Sequence, residues 1–325
     1  MKKQIALGLL AAAAAGGAFA QSSVTIYGRL NLTVESQKFG DEDRQYSVVD
    51  NSSRIGFKGT EDLGGGLKAG FQIEHGFNAD TGTQRTYDPV TKTTGAFWNR
   101  QSEVNLSGGF GSVRLGAWTP DSYFATSDYI GMHNHETGDS SDAFYASTFK
   151  YDNKVGYVTP NMGGFQGYVS VAEGSPTVEK TYDFAAYYDR GPLHLGLGAE
   201  KQDDKKQVAI RGLYELGAFT VGALYQHDSE MYGLGNRNYF RVSGMYAFGA
   251  NELHLNVGRA GEYSDEPGTG SATQWTVGYN YNLSKRTKVY GYYTAITGDD
   301  ADRYTGIGSG DGKFNALALG IRHNF

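Results

Sequence analysis

Cysteine is absent, and proline is scarce: 325 residues include none of the first and 6 of the second. Without thiols there are no disulfides, thiolate metal sites or cysteine nucleophiles, and the compartment stays open. Positive charge is also short. The formal net charge is −6 and no basic stripe occurs, which argues against nucleic acid as a partner. Apolar residues are only 39% of the chain and mean hydropathy is −0.47. Beyond residue 20 no apolar run approaches the roughly 20 residues of a spanning helix. That absence does not exclude a membrane β-barrel, whose strands need only alternate residues apolar.

Glycine and aromatic residues are plentiful: 47 Gly, 24 Tyr and 17 Phe. Together they suit strands, tight turns and flat aromatic surfaces. The chain opens with Lys2 and Lys3, then an apolar run from Ile5 to Ala15, then Ala18-Phe19-Ala20. This is the pattern of a secretory signal peptide over residues 1–20, cleaved before Gln21. Its removal takes two lysines and no acid, so the formal charge moves from −6 to −8.

From Ser22 to Phe325 the texture is uniform: sixteen segments of about ten residues alternate apolar and polar side chains between turn residues. Short turns such as Leu216-Gly217 and Gly249-Ala250 alternate with long polar loops such as 36–46, 78–96 and 297–312. The expected fold class is all-β, a 16-stranded antiparallel transmembrane β-barrel over residues 21–325. A soluble β-sandwich would share the leader and the alternation, but not the regular exchange of short and long connections. In "TQWTVGYNYNL", Trp275, Val277, Tyr279, Tyr281 and Leu283 face outward, and Thr276, Gly278, Asn280 and Asn282 inward. The last strand, "GKFNALALGIRHNF", places Leu317, Leu319, Ile321, His323 and Phe325 on one face. Phe325 is expected at the inner membrane–water boundary as the last ring of an aromatic girdle, with its strand closing the barrel against "SVTIYGRLNLTV".

Several blocks resemble the general porins of Gram-negative β-proteobacteria: "QSSVTIYGRL", "SSRIGFKGTEDLGGGLKAGFQIE", "FWNRQSEVNLSGGFGSVRLG", "YVTPNMGGFQGYVSVAEG", "YNYNLSKRTKVYGYY" and the ending "LGIRHNF". They are spread over the whole mature chain. The resemblance implies a homotrimer in the outer membrane among lipid and lipopolysaccharide, and passive diffusion of ions and small hydrophilic solutes. It also implies that the terminal Phe325 is read by the barrel-assembly machinery. Two departures fall where the pore of such porins is narrowest. Gly116-Ala117-Trp118 stands where Gly-Arg-Gln is common, and the next loop lacks a Pro-Glu-Phe type motif.

That loop, 119–148, is the longest connection, and loops of this length are usually functional or disordered. By resemblance it folds into the lumen as a pore-constricting loop between strands five and six. It carries Asp121, Asp128, Glu136, Asp139 and Asp142 and no Lys or Arg; a solvated acidic loop over the rim is the plain alternative. The opposing cations implied by resemblance are Arg54, Arg100 and Lys150. Alternation places Arg54, Lys150, Arg114, Arg211 and Glu74 inward, but groups Arg100 with the outward Val104 and Leu106. Cations facing anions across a narrow opening set up a transverse field and a preferred ion sign; each inward charge also has a plain reading as a hydrated lumen residue. Which sign prevails stays open, since the charge of −8 hints at cations and the wall cluster of resembling porins often favours anions.

The expected function is therefore a general diffusion porin, with no cofactor, metal or catalytic residue. The alternatives are a channel preferring small anions or organic acids, and a barrel enzyme or adhesin. His133 and His135 in "HNHE" could hold a metal from one side of an extended segment, but lack the helical spacing of zinc hydrolases. No nucleophile motif is present.

Overall fold

The computed structural model describes residues 23–85, 96–128, 130–133, 143–149, 151–174, 179–266, 270–298 and 313–325. The leader 1–20, Lys150, His135, Glu136, Asp139 and Asp142 lie outside the described residues.

Alternating side chains allow a strand to satisfy two media at once, and here they do so around a closed antiparallel sheet. Its first half consists of β1 (Ser23–Phe39), β2 (Gln45–Asp50), β3 (Arg54–Gly64), β4 (Leu67–Asn78), β5 (Thr83–Gln84), β6 (Gln101–Gly108), β7 (Gly111–Trp118), β8 (Lys154–Val158) and β9 (Phe165–Ala172). The second half is β10 (Thr181–Arg190), β11 (Leu193–Gln202), β12 (Lys205–Leu216), β13 (Phe219–Ser229), β14 (Asn236–Phe248), β15 (Asn251–Ala260), β16 (Ala272–Asn282), β17 (Thr287–Thr297) and β18 (Lys313–Asn324).

These segments make sixteen staves. The lower part of β1 pairs with β3 and its upper part with β2, so β2 and β3 are one stave interrupted at Asn51–Ser53. β5 is a two-residue rung on β4. β18 closes the ring against β1, from Arg29 opposite Asn324 to Phe39 opposite Phe314. The expected closure is thus present and extends to the last residue: Phe325 and Gly28 exchange backbone hydrogen bonds of 3.0 Å in both directions. The Phe325 ring covers Gly28 so closely that a Cβ there would lie 2.8 Å from Cε2.

The faces follow the sequence. Trp275, Val277, Tyr279 and Tyr281 of β16 are exposed on the outside, while Gln274, Thr276 and Asn280 are buried inside. Short turns place Gly217 and Gly249 at φ near +60°, the left-handed geometry that tight hairpins need. Among the described residues no helix is long and apolar enough to cross a membrane. One helical turn does occur, α1 (Asp121–Thr126), at the start of the long connection between β7 and β8. The sequence reading contained no helix beyond the leader, because six residues are too few for a helical period to emerge.

Candidate functional site

The loop after β7 runs inward and is strapped to the wall. α1 begins at Pro120, which offers no side-chain cap. Its first N–H groups need acceptors, and β10 provides one: the Asp183 carboxylate accepts from the backbone N–H of Asp121 at 2.7 Å and of Ser122 at 3.2 Å. Beneath α1 lie Gly196 and Gly198 of β11, and a Cβ at Gly198 would sit 2.7 Å from the Ser122 carbonyl. The glycines of "LHLGLGAEK" therefore permit close approach of the loop backbone. Further on, Ser243 of β14 donates to the Ile130 carbonyl at 2.5 Å. The returning limb is held by Gln226, which accepts from Ala146 N–H at 2.9 Å and donates to its carbonyl at 2.8 Å. Arg237 donates to the Phe144 carbonyl at 2.7 Å, and Glu200 accepts from the Thr148 N–H at 2.7 Å. A net 0.5–1.5 kcal/mol is typical of each such bond, so the strap holds as a set.

Two residues expected at the opening are found in the anchor. Asp121 is buried; Arg114 reaches it at 3.0 Å and Glu103 at 2.7 Å, and Trp118 Nε1 donates to it at 3.1 Å. Arg114 also stacks 4.3 Å over the Trp118 ring, with Lys154 Nζ 4.9 Å from the same ring. The departure at Gly116-Ala117-Trp118 thus puts a cation-binding aromatic ring at the loop's root. Asp128 is half-buried in the loop, and Arg211 of β12 is buried on the lumen side.

The facing cations come from staves that the strap does not use. At the interruption between β2 and β3, Ser52 has φ +63° and its carbonyl is available to side chains. Arg29 of β1 donates to that carbonyl at 3.2 and 3.3 Å and to the Asn51 carbonyl at 3.2 Å. Arg54 donates to the same Ser52 oxygen at 3.3 Å, and Arg100 to the Ser52 hydroxyl at 3.3 Å. Glu74 of β4 lies 2.6 Å from Arg100 and 3.6 Å from Arg54. Three guanidiniums and one carboxylate leave this patch formally at +2.

Arg100 therefore points into the lumen, against strict alternation and with the resemblance. It precedes Gln101, the first residue of β6, so the pleat does not dictate its direction. Sequence reasoning missed Arg29. The signal was present: Leu30, Leu32 and Val34 alternate outward, which turns Arg29 inward. The role of Ser52 carried no sequence signal, because it depends on a break in the ladder.

His133 closes the loop's far end. Its ring is buried over Gly278 of β16, where a Cβ would lie 2.6 Å from Nε2. The rings of His254, Tyr290 and Tyr292 stand 4.6, 5.9 and 5.7 Å away. Burial, helped by Lys288 and Arg322 and opposed by Glu252, pushes the His133 imidazole down from the usual 6.5 to about 3. Docking thus requires the neutral ring. It is full above pH 6.5 and weakens about tenfold per pH unit below that, down to about 3. Current fluctuations are expected to rise as pH falls from 7 to 5, and His133→Phe should flatten that response; an unchanged acid response in the variant would refute it. Among the described residues no group of three His, Asp or Glu side chains could hold a metal.

A closed barrel with a loop strapped to its inner wall is the architecture of a diffusion channel. The chain's similarities agree. The Gram-negative porin family matches residues 6–301. Outer membrane porin protein 32 of Delftia acidovorans is 30% identical over the full length of both chains. Major outer membrane protein P.IB of Neisseria meningitidis serogroup B is 27% identical over 94% of this chain and 95% of its own. The structure of an anion-selective porin from Comamonas acidovorans superposes with a TM-score of 0.74 at 28% identity, covering 94% of this chain and all of that one. The chain accordingly belongs to the Gram-negative porins, as a passive diffusion channel of the outer membrane.

Proposed function

We propose that this porin filters solutes between the strapped loop 119–148 and the Arg29, Arg54 and Arg100 cluster, and that the filter favours small anions. The observation that carries this reading is the convergence of three guanidiniums on Ser52, two of them paired to the same carboxylate, Glu74. Lys150, outside the described residues, joins this reading through the resemblance alone. Fixed charge in a hydrated lumen attracts the opposite ion and repels its own kind. The anion selectivity in the name of the Comamonas protein accords with it.

Three further features complete the proposal. Residues 1–20 are removed at export, so the mature chain starts at Gln21; N-terminal sequencing checks this. The channel is a homotrimer in lipid and lipopolysaccharide, and the exposed Val34, Val48, Leu317, Leu319 and Ile321 around the β18–β1 seam are apolar enough for a subunit contact. Phe325 serves the barrel-assembly machinery. Its deletion removes two backbone hydrogen bonds and the ring over Gly28, and the yield of folded protein in the outer membrane should fall severalfold; undiminished yield would remove this role.

The direct test is reversal potential and single-channel conductance of purified protein in a planar bilayer under a salt gradient. Steps in groups of three with an anion-selective potential support the proposal. A cation-selective potential overturns the filter, and flux that saturates with one solute would indicate a substrate-preferring channel instead.

A further inference from the structure

Below the constriction loop, on the short-turn side, the inner wall has a recess of about 510 Å³. Its chemistry runs in a fixed order along β12: Glu215, then Leu213, then Arg211, all pointing into the lumen. At the outer end His194 of β11 stands between two carboxylates, with Nδ1 2.8 Å from Asp189 and Nε2 3.5 Å from Glu215. Both carboxylate side chains are more than half exposed, at 53% and 57%, so each keeps oxygen toward the water-filled lumen. At the inner end Arg211 is buried beneath the loop. Between the ends, Leu213 and Met245 of the wall and Met132 of the loop supply an apolar lining.

We propose that this recess is a second solute station, for small linear zwitterions whose ammonium and carboxylate are separated by an apolar spacer. The inference rests on the porin reading and adds a binding step below the filter. Negative, apolar and positive groups occur in that order, and a solute of the opposite order complements all three. Four residues of strand set Glu215 and Arg211 roughly 13 Å apart at Cα, and both line the recess, so a spacer of several methylenes fits between them. A recess of a few hundred Å³ is of the size that holds a small ligand. Arg211 has five N–H donors and so can serve a carboxylate alongside a protein partner. The loop contributes Met132 from above, so the recess exists only while the loop is strapped.

The station is separate from the arginine cluster in residues and in staves. A plain anion is matched at the Arg211 end alone, and a plain amine at the Asp189 and Glu215 end alone. The zwitterion gains from both ends and from the spacer.

The test is current through the intact channel in a planar bilayer with 6-aminohexanoate added at millimolar concentration. Concentration-dependent interruptions are expected, with hexylammonium and hexanoate each at least tenfold weaker. Asp189→Asn with Glu215→Gln, outside the filter, should keep the basal conductance and lose the effect at least tenfold. Equal action by hexylammonium would make the recess a simple cation site. Equal action by hexanoate would place the effect at the arginines. No interruption by any probe would remove the station. Each of these results overturns the proposal while the basal current still reports on the porin reading, and the wild-type probe series suffices if the double variant does not assemble.

Discussion

Glutamine at Arg29, Arg54 and Arg100 together is expected to invert the sign of the reversal potential. The patch around Ser52 would pass from a formal +2 to −1, with Glu74 as the remaining charge. A unit charge about 8 Å from a passing ion contributes roughly 0.5 kcal/mol in bulk water and about twice that at half the dielectric constant. Each arginine removed should therefore weaken anion passage and favour cation passage about two- to fivefold each, lowering the anion-to-cation permeability ratio about five- to thirtyfold before screening. The effect should be larger at 0.1 M than at 1 M salt, where the screening length shrinks from about 10 to about 3 Å. Two controls separate charge from shape. Lysine at Arg54 keeps the charge and should keep most of the selectivity, though it loses the planar fork. Glu74→Gln removes the one anion and should strengthen anion preference. An unchanged potential in the triple variant would refute the filter.

The second large effect concerns the strap. Asp183→Ala leaves two buried N–H groups of α1 without their acceptor, at a cost of about 1–3 kcal/mol each. That is enough to weaken docking of the loop's first limb by tenfold or more. Larger sugars should then enter liposomes faster, and the open-channel current should become noisier. Gly198→Val works from the other side. Its added carbon would overlap the Ser122 carbonyl, so α1 is pushed toward the lumen and conductance should drop. Neither change touches the sheet's ladder, so both variants should keep the thermal transition of the barrel. A common loss of the barrel itself would mean that the strap holds the wall rather than the reverse, and would overturn this account.

The barrel was legible because a pleated strand between water and lipid must alternate, and the alternation survives in nearly every segment. The apolar alternation of the first strand ends at Val34, yet β1 continues to Phe39, with Glu35 buried inside. Above the apolar belt both faces can be polar, so the pattern fades while the ladder goes on. α1 was invisible because its cap, Asp183, comes from another stave. Arg54 and Glu74 were readable from alternation. Arg100 was not, since it stands one residue before its strand begins. Asp121 was recognisable as a loop acid, but its place at the loop's root was set by Arg114 and Trp118, whose approach no spacing announced.

The seam between β1 and β18 has a consequence in time. Its partners stand at opposite ends of the polypeptide, so the earliest stave must wait for the last one before its second side is matched. Contacts this far apart in the chain form late and slowly. A polypeptide that lacks β18 is thus unfinished, a curled ribbon with two adhesive margins that invite other chains. Closure is thus a single late event, and every product without β18 carries the same two unpaired margins.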